Sequence, residues 1–302
     1  MITDTPAIVF KTVFFSESSL IVTLLTEKHG KIPVMARGAR RNKNRFGGLL
    51  QPGAILEVSY YHKSTREVQN LRDVSQKLPT WRIQQDMEKM AIGLAALELS
   101  EQLCHEYEPM PDMYLFLADF LAWLHESKSS PRFLFPYIQY RMAQISGIGI
   151  SLQLSQSAIL RQSTVFPDSR DLPDSTETSE YIQGDAHSQP LDSAARVDIP
   201  DGTERHTVNE PVNEPQIEFP CYLNVESGCV TGKPDNGLSF GLTKSQGEYF
   251  RYIADGKKSR LLNTDFPVPD IKHLIHHLDT YFQFHLEGIR GRRSDAIFEQ
   301  IL

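Results

Sequence analysis

Five short β-like segments fill the first 80 residues and constrain the fold of this chain more than any other feature. Each is rich in β-branched or aromatic residues, and turn signals such as His29-Gly30-Lys31 separate them. Short strands at this spacing are typical of a small closed or sandwiched β-domain, since closure removes exposed edges. The predicted strands are 7–15, 20–26, 32–36, 55–61 and 68–74.

The hydrophobic pattern changes to a helical period after residue 80. A first helix carries apolar residues at intervals of three and four, which predicts one buried stripe. The residues of that stripe are Ile83, Met87, Met90, Leu94 and Leu97.

Further helices are predicted on both sides of a polar segment. Before it, Asp112 is expected to cap a helix at 113–123, and Pro131 to open one that continues through Ser146. After it, we expect a hairpin of 222–225 with 229–231, then helices at 244–255, 270–286 and 296–302.

The polar segment, residues 151–220, explains the charge of the chain. It carries 4 basic and 13 acidic side chains, whereas residues 1–80 carry 12 basic and 6 acidic ones. Taking it away changes the formal net charge from −7 to +2, so an acidic segment masks a basic N-terminal region. Its composition predicts a disordered insertion.

Together these patterns predict an α+β protein. Residues 1–80 form a β-domain, and residues 81–302 form an α-helical bundle domain that the insertion at 151–220 interrupts. Three cysteines are too few for a disulfide framework, and we find no secretory signal and no membrane-length apolar run. We therefore expect a cytoplasmic protein with reduced thiols.

One segment, 37–48, combines cations with glycines and contains no acidic residue. Crowding cations on a loop is unfavourable without a polyanion, and phosphates would release counterions on binding. The alternative is a solvated charged loop, but its setting between strands favours nucleic acid. The candidate DNA-binding residues are Arg37, Arg40, Arg41, Lys43 and Arg45, with Phe46 as a ring that stacks on a base.

Other aromatic residues of the β-domain are also candidates for base stacking. Alternation along a strand turns some of them inward, where packing in the core is the commoner role. The candidates are Phe10, Phe14, Phe15, Tyr60 and Tyr61.

The sequence contains only weak candidates for enzyme motifs or metal-binding motifs. We interpret the histidines on the predicted helix at 270–286 as a polar face, so no metal or cofactor is expected. Asp235 and Asp255-Gly256-Lys257 resemble the acidic pairs of metal-dependent nucleases, which keeps that class as an alternative. Phosphate-loop and nucleophile-elbow motifs are absent from the sequence. A non-enzymatic binding protein is the main expectation.

Several motifs follow one another in the first 61 residues. They are Ile8-Val9-Phe10-Lys11-Thr12, Ala36-Arg37-Gly38-Ala39-Arg40-Arg41, Arg45-Phe46-Gly47-Gly48 and Leu50-Gln51-Pro52, followed by Leu56-Glu57-Val58-Ser59-Tyr60-Tyr61. This series resembles the bacterial RecO family, and the resemblance extends over most of residues 7–74. The four cysteines of a zinc module found in many members are absent here, so the chain looks like the zinc-free variant.

The resemblance implies an OB-fold barrel of five strands followed by an α-helical domain. It also implies a role in recombinational repair through the RecF pathway. The chain would bind single- and double-stranded DNA, anneal complementary strands and help to load RecA onto DNA coated by single-stranded-DNA-binding protein (SSB). The implied partners are RecR and the acidic C-terminal tail of SSB, for which Arg132 and Arg141 are candidate residues. A pure protein-docking adaptor is a further alternative.

Overall fold

The computed structural model describes residues 1–41, 46, 48–153 and 221–301, which form a β-barrel packed against a mainly helical region. The acidic segment predicted to be disordered, 151–220, lies outside the described residues except for 151–153. None of the described helices is long and apolar enough to cross a membrane.

The barrel confirms the predicted five strands and their closure. Its strand order is β1-β2-β3-β5-β4, with β4 returning to pair with β1, and β3 and β5 run parallel. This order and the α+β class agree with the expected OB-fold. The strands are β1 Ile2–Phe14, β2 Leu20–Thr26, β3 Gly30–Ala36, β4 Ile55–Tyr61 and β5 Gln69–Leu78.

The middle of β1 is buried on both faces. Ala7 and Val9 belong to the core inside the barrel, whereas Ile8 and Phe10 belong to the core of the helical region. Successive side chains of a strand point to opposite faces, so one short stretch of β1 contributes to both cores. The helical region therefore covers this side of the barrel.

Seven α-helices are described. A 3₁₀ turn, Trp81–Gln85, precedes them. The predicted helices at 244–255, 270–286 and 296–302 are confirmed within a few residues at each end. The helices are α1 Met87–Leu103, α2 Pro111–Glu126, α3 Phe135–Ile145, α4 Lys244–Ala254, α5 Lys258–Asn263, α6 Val268–His285 and α7 Asp295–Ile301.

The predicted apolar stripe describes the buried face of α1 only in part, since Ile83 and Leu97 are buried but Met87 is not. Met87 is 63% exposed, whereas Ala91 and Ala95 are fully buried. The reason is that α1 contacts α2, α3, α7 and the barrel at once, so its small residues allow close approach from several sides. Hydrophobic periodicity predicts the buried face of a helix that is covered on one side better than that of a helix surrounded by several partners.

Two helix starts also differ from the prediction. Met110 is the N-cap of α2, so Asp112 lies in the first turn, where its charge still interacts favourably with the helix dipole. Helix α3 begins at Phe135 rather than at Pro131, with Pro136 in its first turn.

A small four-stranded sheet lies beside α6. The predicted hairpin is confirmed as β7 Cys221–Asn224 and β8 Cys229–Thr231, which are antiparallel. The prediction missed β6 Ser151–Leu152, β9 Ser239–Leu242 and helix α5, because such short elements carry little periodicity. Strands β6 and β7 both pair with β8, so the chain leaves at residue 153 and re-enters at 221 within one sheet.

Candidate nucleic-acid interface

The outer half of β1 forms a hairpin with β2 that extends from the barrel. A β-bulge at Phe10 interrupts the pairing between Val9 and Lys11, and β1 no longer pairs with β4 after Ile8. Bulges bend a strand and redirect its side chains. Beyond the bulge, residues 11–14 therefore pair with β2 alone and carry their side chains to the tip of the hairpin.

Arg40 is anchored on this tip. Its backbone N–H donates to the Ser18 carbonyl at 3.1 Å, and its Nη1 donates to the Ser16 carbonyl at 2.9 Å. The guanidinium carbon lies 4.4 Å from the centre of the Phe14 ring, within the range of a cation–π interaction. The loop that follows β3 is thus fixed to the β1–β2 turn, and Arg40 stays exposed.

Arg37 and Arg41 are exposed beside it. The Arg41 N–H donates to the Gly38 carbonyl at 3.1 Å, which closes a turn that needs the positive φ of 76° at Gly38. Lys43 and Arg45 lie outside the described residues and stay predictions. The structure thus brings three of the five predicted cations together at the tip.

Phe46 does not lie where base stacking requires it. It is 1% exposed and packs in the core inside the barrel, so the prediction that this ring stacks on a base was wrong. The physical reason is that a barrel of this size needs bulky apolar side chains to fill its interior. Phe46 anchors the end of the loop instead.

The remaining aromatic candidates divide by exposure. Phe10 and Tyr60 are buried, whereas Phe14 is 74% exposed and Phe15 57% exposed. Tyr61 is also exposed, but it pairs with Ile2 at the start of β1. Strand alternation alone could not separate these rings, because the bulge at Phe10 changes which face the later residues occupy.

A further exposed cation, Arg72, was missed by the sequence reasoning. The pairing of β4 with β5 passes from Ser59↔Asp73 to Tyr60↔Leu71, so Arg72 is the extra residue of a β-bulge. Strand β5 also runs parallel to β3, with Asn70 opposite Met35. Arg72 and Arg37 each lie two residues beyond this pair. Because the two strands are parallel, both arginines follow the same end of the paired segment. No local sequence signal marks such a parallel neighbour.

The two candidate partner-binding arginines are not brought to one place. Arg132 precedes α3, whereas Arg141 lies in its second half. Both are half-buried, and their guanidinium carbons lie 5.3 Å from the ring centre of Phe133 and 5.9 Å from that of Phe116, respectively. They contact different aromatic rings, and their role in partner binding stays a prediction.

The histidines of α6 are involved in packing. His277 stacks on Phe240 with ring centres 4.2 Å apart, and the His285 ring lies 2.7 Å from the Val225 carbonyl. Burial, and to a smaller extent the neighbouring His276 and His273, together lower the pKa of His277 to about 4. Within the described residues, no group of three or more His, Cys, Asp or Glu side chains is arranged to hold a metal ion.

The two carboxylates of the nuclease alternative have separate local partners. Asp235 accepts a hydrogen bond from the Ser227 hydroxyl at 2.5 Å. Asp255 caps α4 and lies 3.5 Å from the Lys257 ammonium. Each carboxylate thus interacts with a residue near it in sequence, and the two lie on different elements.

Family models match both the barrel and the helical segment that follows it. The model described as "Recombination protein O N terminal" matches residues 1–77, which include the barrel and the hairpin tip. The model described as "Recombination protein O C terminal" matches residues 84–194, which include α1, α2 and α3.

Curated relatives carry the same family name. The chain is 37% identical over 147 residues to the DNA repair protein RecO of Salinibacter ruber, which is 49% of this chain and 56% of that protein. It is 36% identical over 125 residues to the DNA repair protein RecO of Geobacter sulfurreducens, which is 41% of this chain and 51% of that protein. The chain thus spans about half the length of the curated relatives it matches. With both family models matched in order over more than half of its residues, the chain belongs to the RecO family.

Proposed function

We propose that this chain is a non-enzymatic DNA-binding protein of recombinational repair that anneals complementary strands. The proposed DNA contact is the tip surface, which we define as Phe14, Phe15, Arg37, Arg40 and Arg41. One observation carries the proposal. The Arg40 guanidinium is held by the Ser16 carbonyl and the Phe14 ring, so the tip surface presents ordered positive charge next to exposed aromatic rings.

Annealing by such a surface needs no covalent chemistry. Two DNA strands repel each other through their phosphates, and cations on the protein reduce that repulsion while they displace counterions. Arg37, Arg40 and Arg41 on the described part of the loop supply those cations, and we expect Lys43 and Arg45 to extend the row. Arg72 follows the β3–β5 pair at the same end as Arg37, and we expect it to lengthen the basic surface.

Family membership supports the finer part of the proposal. The chain would help to load RecA onto single strands coated by SSB, with RecR as a partner. For the acidic C-terminal tail of SSB we propose Arg132 and Arg141, both of which stand next to aromatic rings. A synthetic tail peptide should then bind the wild type and lose affinity when either arginine is replaced by glutamine.

Salt titration of single-strand binding tests the tip surface. Each phosphate contact contributes about 0.7 to the slope of log affinity against log salt for single strands. Replacing Arg37, Arg40 and Arg41 by glutamine should therefore flatten that slope by about 2 units, and replacing Lys43 and Arg45 by about 1.4 units. An unchanged slope in both variants would remove the loop from the mechanism.

A matched control separates local from global charge. Lys128, Lys244 and Arg293 are exposed in the helical region, and replacing them removes the same formal charge. This control should keep the wild-type slope. Annealing of complementary strands should proceed without divalent metal or ATP and leave the DNA at full length, whereas a nuclease would shorten it. A pure adaptor would show no DNA binding at low salt.

A further inference from the structure

A cavity of about 280 Å³ opens between the hairpin tip and the segment that follows the basic loop. Phe14 and Leu20 from the hairpin line it, and Phe46 and Leu50, both almost fully buried in the barrel core, also border it. None of the described residues that line this cavity carries a charge. Its volume lies near the lower limit of about 300 Å³ for small-molecule sites, so it fits one ring system rather than a chain.

Two polar side chains stand among the apolar walls. The Thr12 hydroxyl donates to the Leu50 carbonyl at 2.8 Å, which fixes the segment against β1 and leaves the hydroxyl oxygen able to accept. Gln51 is exposed at the cavity, and its carboxamide has both donors and an acceptor. Apolar walls with both kinds of hydrogen-bonding group suit a flat heterocycle that has donors and acceptors along its edge.

Among the described residues, the charge lies at the rim of the cavity and not in its lining. Arg40 lies over the Phe14 ring, so a guanidinium stands beside an opening that a neutral ring can enter. A phosphate inside the cavity would lose its hydration without gaining a cation from the described lining residues, which is costly. A ligand with a neutral ring in the cavity and a phosphate on Arg40 at the rim would have the chemistry of one nucleotide in a single strand.

We propose that this cavity receives one unstacked nucleobase of a DNA strand whose phosphates lie on the arginines of the tip surface. The inference rests on the proposed function and adds a specificity to it. A base can enter only when it is unpaired, because extruding it from a duplex requires unstacking and unpairing. The site therefore favours single strands over the annealed product, which helps the finished duplex to leave.

Comparison with an abasic strand distinguishes the contribution of the bases to binding from that of the phosphates. The probe is a labelled single strand of about 12 nucleotides, within the range of about 4–16 that one OB-fold covers, together with a strand of equal length that lacks all bases. The wild type should bind the normal strand about tenfold more tightly, the gain expected from one stacked base. Equal affinity for the two strands would overturn the inference.

Two variants assign the effect to the cavity. Phe14→Ala should weaken binding of the normal strand about tenfold and that of the abasic strand much less, because Arg40 loses the ring beneath it but keeps its hydrogen bond to the Ser16 carbonyl. Ala39→Trp fills the cavity and leaves Phe14 in place, so it should have the same effect. Phe284→Ala, which removes a ring that is 51% exposed on α6, is the matched control and should bind like the wild type.

The outcomes distinguish the two proposals. If Phe14→Ala weakens binding but Ala39→Trp does not, the base stacks outside and the cavity inference is wrong. If normal and abasic strands bind equally with the salt slope of the tip surface, the cavity inference fails and DNA binding stands. If neither strand binds at low salt, both fail. A 2-aminopurine base in the strand should also change its fluorescence with the wild type but not with either cavity variant.

Discussion

Two arginines of this chain stack on phenylalanine rings and have opposite surroundings. The guanidinium carbon of Arg40 lies 4.4 Å from the Phe14 ring centre, and that of Arg292 lies 4.7 Å from the Phe135 ring centre. The Arg292 side chain is only 4% exposed, whereas Arg40 is at the surface. The same pair of residue types is thus buried in one region and open in the other.

Their hydrogen-bonding partners differ as well. Arg292 makes two hydrogen bonds to Asp279, at 2.5 and 2.8 Å, and one to Asp295 at 2.8 Å. Among the described residues, the Arg40 guanidinium donates to the Ser16 carbonyl and has no carboxylate partner. A neutralised, buried arginine holds helices together. An arginine that is ordered but not neutralised keeps its charge available for a phosphate.

Replacing Arg292 should give the largest effect on stability. Arg292→Gln leaves Asp279 and Asp295 without their counter-charge, and we expect a loss of about 3 kcal/mol, near the lower limit for a broken buried pair because both carboxylates retain some contact with water. Urea unfolding measures this loss. Arg293→Gln, next to it and exposed, should change stability by less than about 0.5 kcal/mol. Equal losses in the two variants would contradict the comparison.

A third stacked pair, His277 on Phe240, should make the helical region sensitive to acid. Because burial lowers the pKa of His277 to about 4, its ring stays neutral in the folded state where the unfolded chain takes up a proton, below a pKa of about 6.5. Its contribution to stability is present above pH 6.5 and is lost as the pH falls towards 4. The urea midpoint should drop between these pH values, and His277→Gln should reduce that drop. A variant with the wild-type pH dependence would exclude His277 as the cause.

Replacing Arg40 should leave stability almost unchanged and alter DNA binding. We expect Arg40→Gln to stay within about 0.5 kcal/mol of the wild type in urea unfolding, because the side chain is exposed and pairs with no carboxylate of a described residue. The salt slope for single strands should flatten by about 0.7, the share of one phosphate contact. A large stability loss would show that Arg40 serves the fold as Arg292 does.

The smallest expected effect comes from Glu17, the one acidic residue in the turn sequence 14–20. Its carboxylate is exposed near the tip surface and opposes a bound phosphate. Glu17→Gln should therefore strengthen binding of single strands at low salt, with a gain that disappears at about 1 M salt, where screening extends over only about 3 Å. Glu287→Gln, an exposed change in the helical region, is the control and should have no effect. Equal behaviour of both variants would place Glu17 away from the bound strand.

The barrel was predictable because its information is local. The segments 20–26 and 55–61 were assigned with their observed ends, since strand alternation and turn residues act over a few neighbours. Helix α1 was predicted, but its buried face was predicted only in part. Its burial of Ala91 and Ala95 rather than Met87 depends on partners that are distant in sequence.

The candidate site shows the same division. The sequence by itself determined that cations are crowded at 37–45, because charge is a property of the residues, and their family likeness was visible there too. Only the tertiary structure decided which aromatic rings accompany them. After a bulge at Phe10, Phe14 is exposed; Phe46 is buried inside the barrel; and parallel pairing with β3 places Arg72 at the same strand end as Arg37. Bulges, closure and parallel neighbours depend on long-range pairing, and no local pattern of residues encodes that pairing by itself.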